Sequence, residues 1–246
     1  MRDRSRLLLI GFVLTLLGAA ASAQTPTVDE IVSKTMAARG GLDKLRAVNT
    51  MKMVGKVTMQ GREFPITVMA KRPNLMIQEM TIDGTRVVSA FDGDKVWVVN
   101  PMLGINEPQE MSGSMADEMR DQSIFGGPLV SYKERGETLE LVGPSTVGDV
   151  KTWKLKLSRA NGRTMFIDVD AATGLELQWS RRVDQNGMSL DVDSVMSDYQ
   201  PTDKGIVVPR TMRTLVGGHQ QGLLKVDSVT FDTPIDDAAF QMPKEQ

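Results

Sequence analysis

Side chains able to do covalent or acid–base chemistry are scarce in this sequence. Its 246 residues contain one histidine and no cysteine. The histidine, His219, stands in the string Gly217-Gly218-His219-Gln220-Gln221, and a lone imidazole in such a turn reads as an exposed loop residue rather than a catalytic one. There is no G-x-S-x-G elbow to present a nucleophile, and no glycine-rich loop to cradle a phosphate. DVDAATG at 168–174 has the acidic spacing of a calcium loop. It places Ala172 at the third ligand position and Thr173 where the turn glycine belongs, so it reads as a strand end and a turn. Asp191 and Asp193 share one face of a strand pattern and read as surface carboxylates.

Methionine is the unusual residue, with 17 in the chain. Thioethers bind Cu(I), and Met51-x-Met53 together with Met111, Met115 and Met119 would suit an exported copper carrier. That reading lacks a supporting Met/His cluster. Two others remain: core filling, and the lining of an apolar surface that accepts varied ligands, a use that methionine's flexible, polarizable side chain favours. No metal or cofactor is expected, and no enzymatic activity.

The elements that must position these residues begin after residue 23. Arg2, Arg4 and Arg6, the apolar run LLLIGFVLTLLGAAA and Ala21-Ser22-Ala23 form a signal peptide, residues 1–23, with the mature chain starting at Gln24. The apolar run is shorter than the ~20 residues of a membrane span. Without cysteine there is neither a lipid-modified N-terminus nor a disulfide framework. The expectation is one soluble exported domain, residues 24–246, stabilised by its core. The full chain has a formal net charge of −2, and the sequence carries no nucleic-acid footprint.

Thr27 and Glu30 form a capping box ahead of Val28, Ile31, Val32, Thr35 and Met36, which predicts a helix over about 27–39 ending at Gly40-Gly41. LDKLRAV predicts a second short helical turn. From Thr50 the hydrophobic period becomes two. Five strands are expected up to Asn100, punctuated at Gln60-Gly61, Arg72-Pro73-Asn74, Asp83-Gly84 and Asp92-Gly93-Asp94. Six or seven more follow residue 138, with turns that include Asn161-Gly162, Thr173-Gly174 and Asn186-Gly187. Between the two sets, MSGSMADEMRDQSIFGG (111–127) predicts an amphipathic helix. Met111, Met115, Met119, Gln122 and Phe125 form its apolar side, with Asp117, Arg120 and Asp121 opposite and Glu118 at the edge of the stripe. Ser114 and Asp117 make a loose capping box, and Gly126-Gly127-Pro128 a stop.

This pattern predicts a mainly β, α+β fold: a curved antiparallel sheet of about eleven strands forming an open half-barrel, lidded by an N-terminal and a central helix. By period-two phase the concave face carries Met51, Met53, Val57, Met59, Phe64, Ile66, Val68, Met76, Met80 and Trp97. The underside of the lid carries Met111, Met115, Met119 and Phe125, with glycine at both ends of the helix to act as hinges.

The order of ARGGLDKLRAV, the hairpin run, FDGDKVWVVNP, the central helix, FIDVDAATGLELQ and TFDTPIDDAAFQMP resembles the LolA-like outer-membrane lipoprotein-sorting proteins, over essentially the whole mature chain. The resemblance implies a half-barrel whose apolar cavity shields the acyl chains of a lipid or lipoprotein crossing the periplasm. An inner-membrane exporter and an outer-membrane acceptor would be its partners, and the carrier is expected to be a monomer. The missing lipid-attachment cysteine matches the soluble carrier rather than the anchored receptor. The same fold resembles the sensor domains of periplasmic envelope-stress regulators, so a lipoprotein sensor touching a membrane-anchored regulator is the alternative.

Overall fold

The computed structural model describes residues 25–185 and 187–243. Residues 1–23, where a signal peptide is expected, and Asn186 of the Asn186-Gly187 turn lie outside the described residues. The chain opens with α1 (Val28–Ala38) and α2 (Leu42–Ala47). Thr27 caps α1 through the full reciprocal box with Glu30, as its sequence predicts.

Six strands come next: β1 (Thr50–Met59), β2 (Arg62–Lys71), β3 (Leu75–Ile82), β4 (Thr85–Phe91), β5 (Val96–Asn100) and β6 (Ile105–Met111). Helix α3 (Gly113–Gln122) follows. Seven strands complete the sheet: β7 (Thr138–Val147), β8 (Val150–Ser158), β9 (Thr164–Asp170), β10 (Glu176–Gln185), β11 (Met188–Pro201), β12 (Val207–Val216) and β13 (His219–Phe231). All thirteen lie in one antiparallel sheet ordered β6-β5-β4-β3-β2-β1-β13-β12-β11-β10-β9-β8-β7. The sheet curls without closing, and the architecture is an α+β open half-barrel.

The count exceeds the expected eleven partly because INEPQEM forms β6. Its charges and Pro108 hide a strand pattern, but an edge strand tolerates a residue with no N–H. Met111 consequently ends a strand instead of starting a helix. Ser112, not Ser114, is the N-cap of α3, and it makes no side-chain cap bond. The hydroxyl of Ser114 turns instead to the carbonyl of Asp184 on β10. His219 opens β13 and is exposed.

The two chain-terminal strands meet in mid-sheet, where Met51 lies opposite Phe231 and Met53 opposite Val229. The two edges, β6 and β7, are therefore joined by residues 112–137, which cross the concave side. Helix α1 fills the β7–β10 half of the trough, where Ile31 and Met36 pack with Leu155, Leu157, Met165 and Ile167. Helix α3 covers the other half, with Ala116 and Met119 against Val68, Met76, Phe91 and Val96.

The convex face of β3–β5 is apolar too, and the segment after β13 straps across it. Ile77, Val88, Ala90 and Trp97 surround the wholly buried Phe240, and the Trp97 indole donates to the Phe240 carbonyl at 2.8 Å. Trp97 therefore points away from the cavity, against its expected phase. VWVVN is apolar at successive positions, so alternation carries no phase; the pairing of Phe91 with Val96 and Ala90 with Trp97 sets it. Phe240→Ala should cost about 3–5 kcal/mol in urea unfolding and red-shift tryptophan emission as Trp97 becomes hydrated. Unchanged stability would mean that the strap is dispensable.

Candidate functional site

Where β1 and β13–β11 pass beneath the crossing segment, the concave face retains a cavity of about 220 Å³. Met51, Met53, Ala70, Met76, Val229 and Phe231 form one wall, and Trp179, Met196 and Met212 face them. The roof is the chain from Gln122 to Gly127, with Phe125 pointing in. Gly126 and Gly127 carry φ angles of 85° and 93°, a conformation that glycine adopts without cost and that turns the chain down toward Leu129 and Val130.

The residues expected to line the cavity separate into distinct groups. Met51, Met53, Met76 and Phe125 border it. Val68 and Met119 are buried beside it under α3, with Ile66 and Met111 packed at their margin. Val57, Met59, Phe64 and Met80 keep the inward phase, through the pairings Val57–Phe64 and Ile66–Met80, but lie farther along the trough toward the hairpin tips. Trp97 belongs to the convex core.

Met115 is 50% exposed, contrary to its expected place on the underside of α3. The buried arc of the helix runs through Ala116 and Met119. Residues four apart advance about 40° around a helix, so the methionine spacing drifts off the contact line. Met111, from which that spacing was counted, is not helical.

The polar groups of the site come from residues whose sequence contexts suggest nothing unusual. Arg39 follows α1, where a basic side chain reads as a complement to the helix dipole. Its Nη1 donates to the roof carbonyl of Gly126 at 2.7 Å and lies 3.4 Å from a carboxylate oxygen of Glu176. Glu176 is almost fully buried, and its other oxygen accepts from the Trp179 indole at 3.1 Å. Burial raises the Glu176 pKa, opposed by the Arg39 charge and the Trp179 bond. Tyr199 donates to the Glu176 carbonyl, and burial followed by the Glu176 charge pushes its phenol pKa upward. A buried pair of this kind adds little net stability but is costly to break one-sidedly. Its chief effect is to anchor one roof carbonyl.

Helix α3 is held differently on its two sides. Toward β3–β5 the contacts are apolar, apart from a 3.0 Å bond from Gln78 to Gln122 and the Arg120 guanidinium carbon 5.9 Å from the centre of the Phe91 ring. Toward β10 and the turn between β8 and β9 they are ionic. Glu118 pairs with Arg181 and with Arg163 at 3.2 Å, while Asp121 lies 3.3 Å from Arg159 and 2.8 Å from Arg163. Burial raises the Asp121 pKa against the pull of both arginines.

Among the described residues, no group of three or more His, Cys, Asp or Glu side chains is placed to hold a metal ion. Asp170 caps its own turn, accepting from the Ala172 and Thr173 amides at 2.7 and 3.2 Å. Asp191 pairs with Arg182 on the surface. No helix of the described chain is long and apolar enough to cross a membrane.

No protein-family model and no curated protein matches the sequence. Solved structures do match. A LolA superfamily protein, NE2245 from Nitrosomonas europaea, superposes with a TM-score of 0.58 at 12% identity, covering 88% of this chain and 98% of its own. A putative outer membrane lipoprotein-sorting protein domain from Vibrio parahaemolyticus gives 0.55 at 12% identity, over 86% and 94%. A DUF1329 family protein from Desulfovibrio piger gives 0.58 at 16% identity, over 88% and 98%. The chain has a LolA-like fold.

Replacing Arg39 by Leu together with Glu176 by Gln removes the roof tether without stranding a buried carboxylate. Hydrogen exchange of the amides from 122 to 127 should then accelerate by roughly tenfold or more, the effect of losing a hydrogen bond to a charged group. Exchange unchanged from the parent would show that the roof is held by its apolar contacts alone.

Proposed function

We propose that the mature chain, residues 24–246 acting as one domain after loss of the signal peptide, is a periplasmic carrier. It binds the acyl chains of a lipid or lipoprotein in the half-barrel cavity and moves them toward the outer membrane. It does so without catalysis and as a monomer, receiving its ligand from an inner-membrane exporter and passing it to an outer-membrane acceptor. The observation that carries this reading is an apolar cavity inside a LolA-like half-barrel, beneath a roof anchored through one partly buried arginine.

Shielding acyl chains requires no reactive group, only apolar surface and a means of release. Each buried methylene contributes ~0.8 kcal/mol, so a chain of about sixteen carbons gains on the order of 12 kcal/mol before opposing terms. The present cavity of about 220 Å³ is smaller than the roughly 300–1,000 Å³ of ordinary ligand pockets, so a full chain enters only as the roof and α3 lift. Lifting separates Met119 and Ala116 from the β2–β5 wall and opens the ion pairs of Glu118 and Asp121. The empty protein closes on its own side chains, and that competition keeps net affinity within a range that permits transfer.

Met53→Asp and Met76→Asp each place a carboxylate on the cavity wall. Uptake of a neutral hydrophobic fluorophore should fall by at least about tenfold in each, since a buried unpaired charge is costly. Met188→Asp, at the exposed first residue of β11, should bind like the parent. Undiminished uptake by folded Met53→Asp and Met76→Asp proteins would exclude this cavity as the carrier site.

A further inference from the structure

A second chamber, of about 490 Å³, lies on the other side of the roof, bordered by Arg72, Asn74, Phe91, Arg120 and Arg135. Ile124 and Phe125 line both chambers and form the partition between them. The partition is short and ends in the Gly126-Gly127 pair. Its displacement would join an apolar interior to a vestibule rich in guanidinium groups.

The charges around the vestibule are unequally matched. Arg120 pairs with Asp117, Arg135 with Glu137, and Glu134 with Arg46. Arg72 hydrogen-bonds only carbonyl groups among the described residues: Nε donates to Val48 at 2.8 Å and Nη2 to Leu45 at 2.7 Å. These bonds fix the guanidinium with its Cζ 4.7 Å from the centre of the Phe125 ring, at the boundary between the chambers, and leave Nη1 uncommitted. Partial burial and the neighbouring Arg46 charge lower the Arg72 pKa, the signature of a cation that lacks a counter-charge. An oriented, partly desolvated guanidinium of this kind suits a carboxylate or a phosphate.

We propose that the ligand is an anionic amphiphile: its acyl chain occupies the inner cavity and its carboxylate or phosphate head rests on Arg72 in the vestibule, with the displaced Phe125 at the junction. The assignment rests on the carrier reading and narrows it to a ligand class. Arg72 is a binding and orienting residue here, since it sets which end of the amphiphile remains outside.

Displacement of Nile red from delipidated mature protein by palmitate, palmitoyl lysophosphatidate and hexadecanol tests this, because the three share a chain and differ in head. In the parent protein the two anions should bind about tenfold tighter than the alcohol. Arg72→Gln should erase that advantage while leaving hexadecanol unchanged, and Arg72→Lys should restore part of it. Asn74→Asp adds a carboxylate to the vestibule without touching the carbonyl bonds of Arg72, so it guards against a folding defect. It should weaken both anions and spare the alcohol. Equal affinity for all three compounds in the parent, or losses in Arg72→Gln and Asn74→Asp that are as large for hexadecanol as for the two anions, would overturn the head-group site while cavity binding stood. Inorganic phosphate that bound as tightly as lysophosphatidate, and equally dependent on Arg72, would assign the site to a free anion and overturn the amphiphile. Failure of all three compounds to displace Nile red would remove the carrier reading and this proposal with it.

Discussion

The pairing of β1 with β13 determines how the remaining parts of the molecule can be arranged. It places the first and last strands side by side in the centre of the sheet, so both free edges belong to the middle of the chain. A connection between opposite edges of a curved sheet must traverse its mouth. Residues 112–137 are that connection, and a lid follows from topology before any side chain is considered. Side chains then decide how the crossing is fastened. An apolar patch on α3 meets one wall, a set of carboxylates meets arginines on the other, and the glycine-ended stretch beyond α3 drops Phe125 into the trough.

The fastening uses interactions of different strength and reach. Apolar contact between Met119 and the β2–β5 wall is proportional to buried area and indifferent to direction. The Arg39 bond to the Gly126 carbonyl is directional and lies in a low-dielectric surrounding, where a hydrogen bond is stronger and its loss more costly. Glu176 keeps that arginine in place, and Trp179 and Tyr199 keep Glu176 in place. A polar chain of four residues thus runs through an otherwise apolar site, each member satisfied by the next. It fixes the roof's position while most of the cavity surface remains free of polar groups.

Much of the architecture was legible in the sequence because it is encoded locally. Thr27 and Glu30 are three residues apart, and their reciprocal bonds form within one helical turn. The glycine-bearing turns announce their hairpins, and in β1 to β3 strict alternation sets the phase, so Met51, Met53 and Met76 fall on the cavity wall. Legibility fails where that local code is silent. VWVVN is apolar on both faces because the strap covers its outer side, so Trp97 could not be phased. Met115 was misplaced because Met111 belongs to a strand, which broke the helical count. The Arg39–Glu176 pair spans 137 residues, and neither partner lies in a motif. Arg72 is likewise legible only as part of a turn until the fold places Phe125 beneath it.

The mid-sheet junction also governs the order in which the molecule can be assembled. Strands β2 to β6 can pair with sequence neighbours as hairpins, and so can β7 to β13, each at the small loop-closure cost of a short turn. The contact of Met51 with Phe231 is of another kind, because nearly the whole barrel must be threaded before these strands can register. Such long-range antiparallel pairing raises contact order and slows folding. Until β13 docks, β1 remains an uncovered edge carrying Met51, Met53 and Val57, a surface open to intermolecular strand pairing. The same seam that makes a lid unavoidable therefore leaves an incompletely folded chain dependent on its last strand for protection against aggregation.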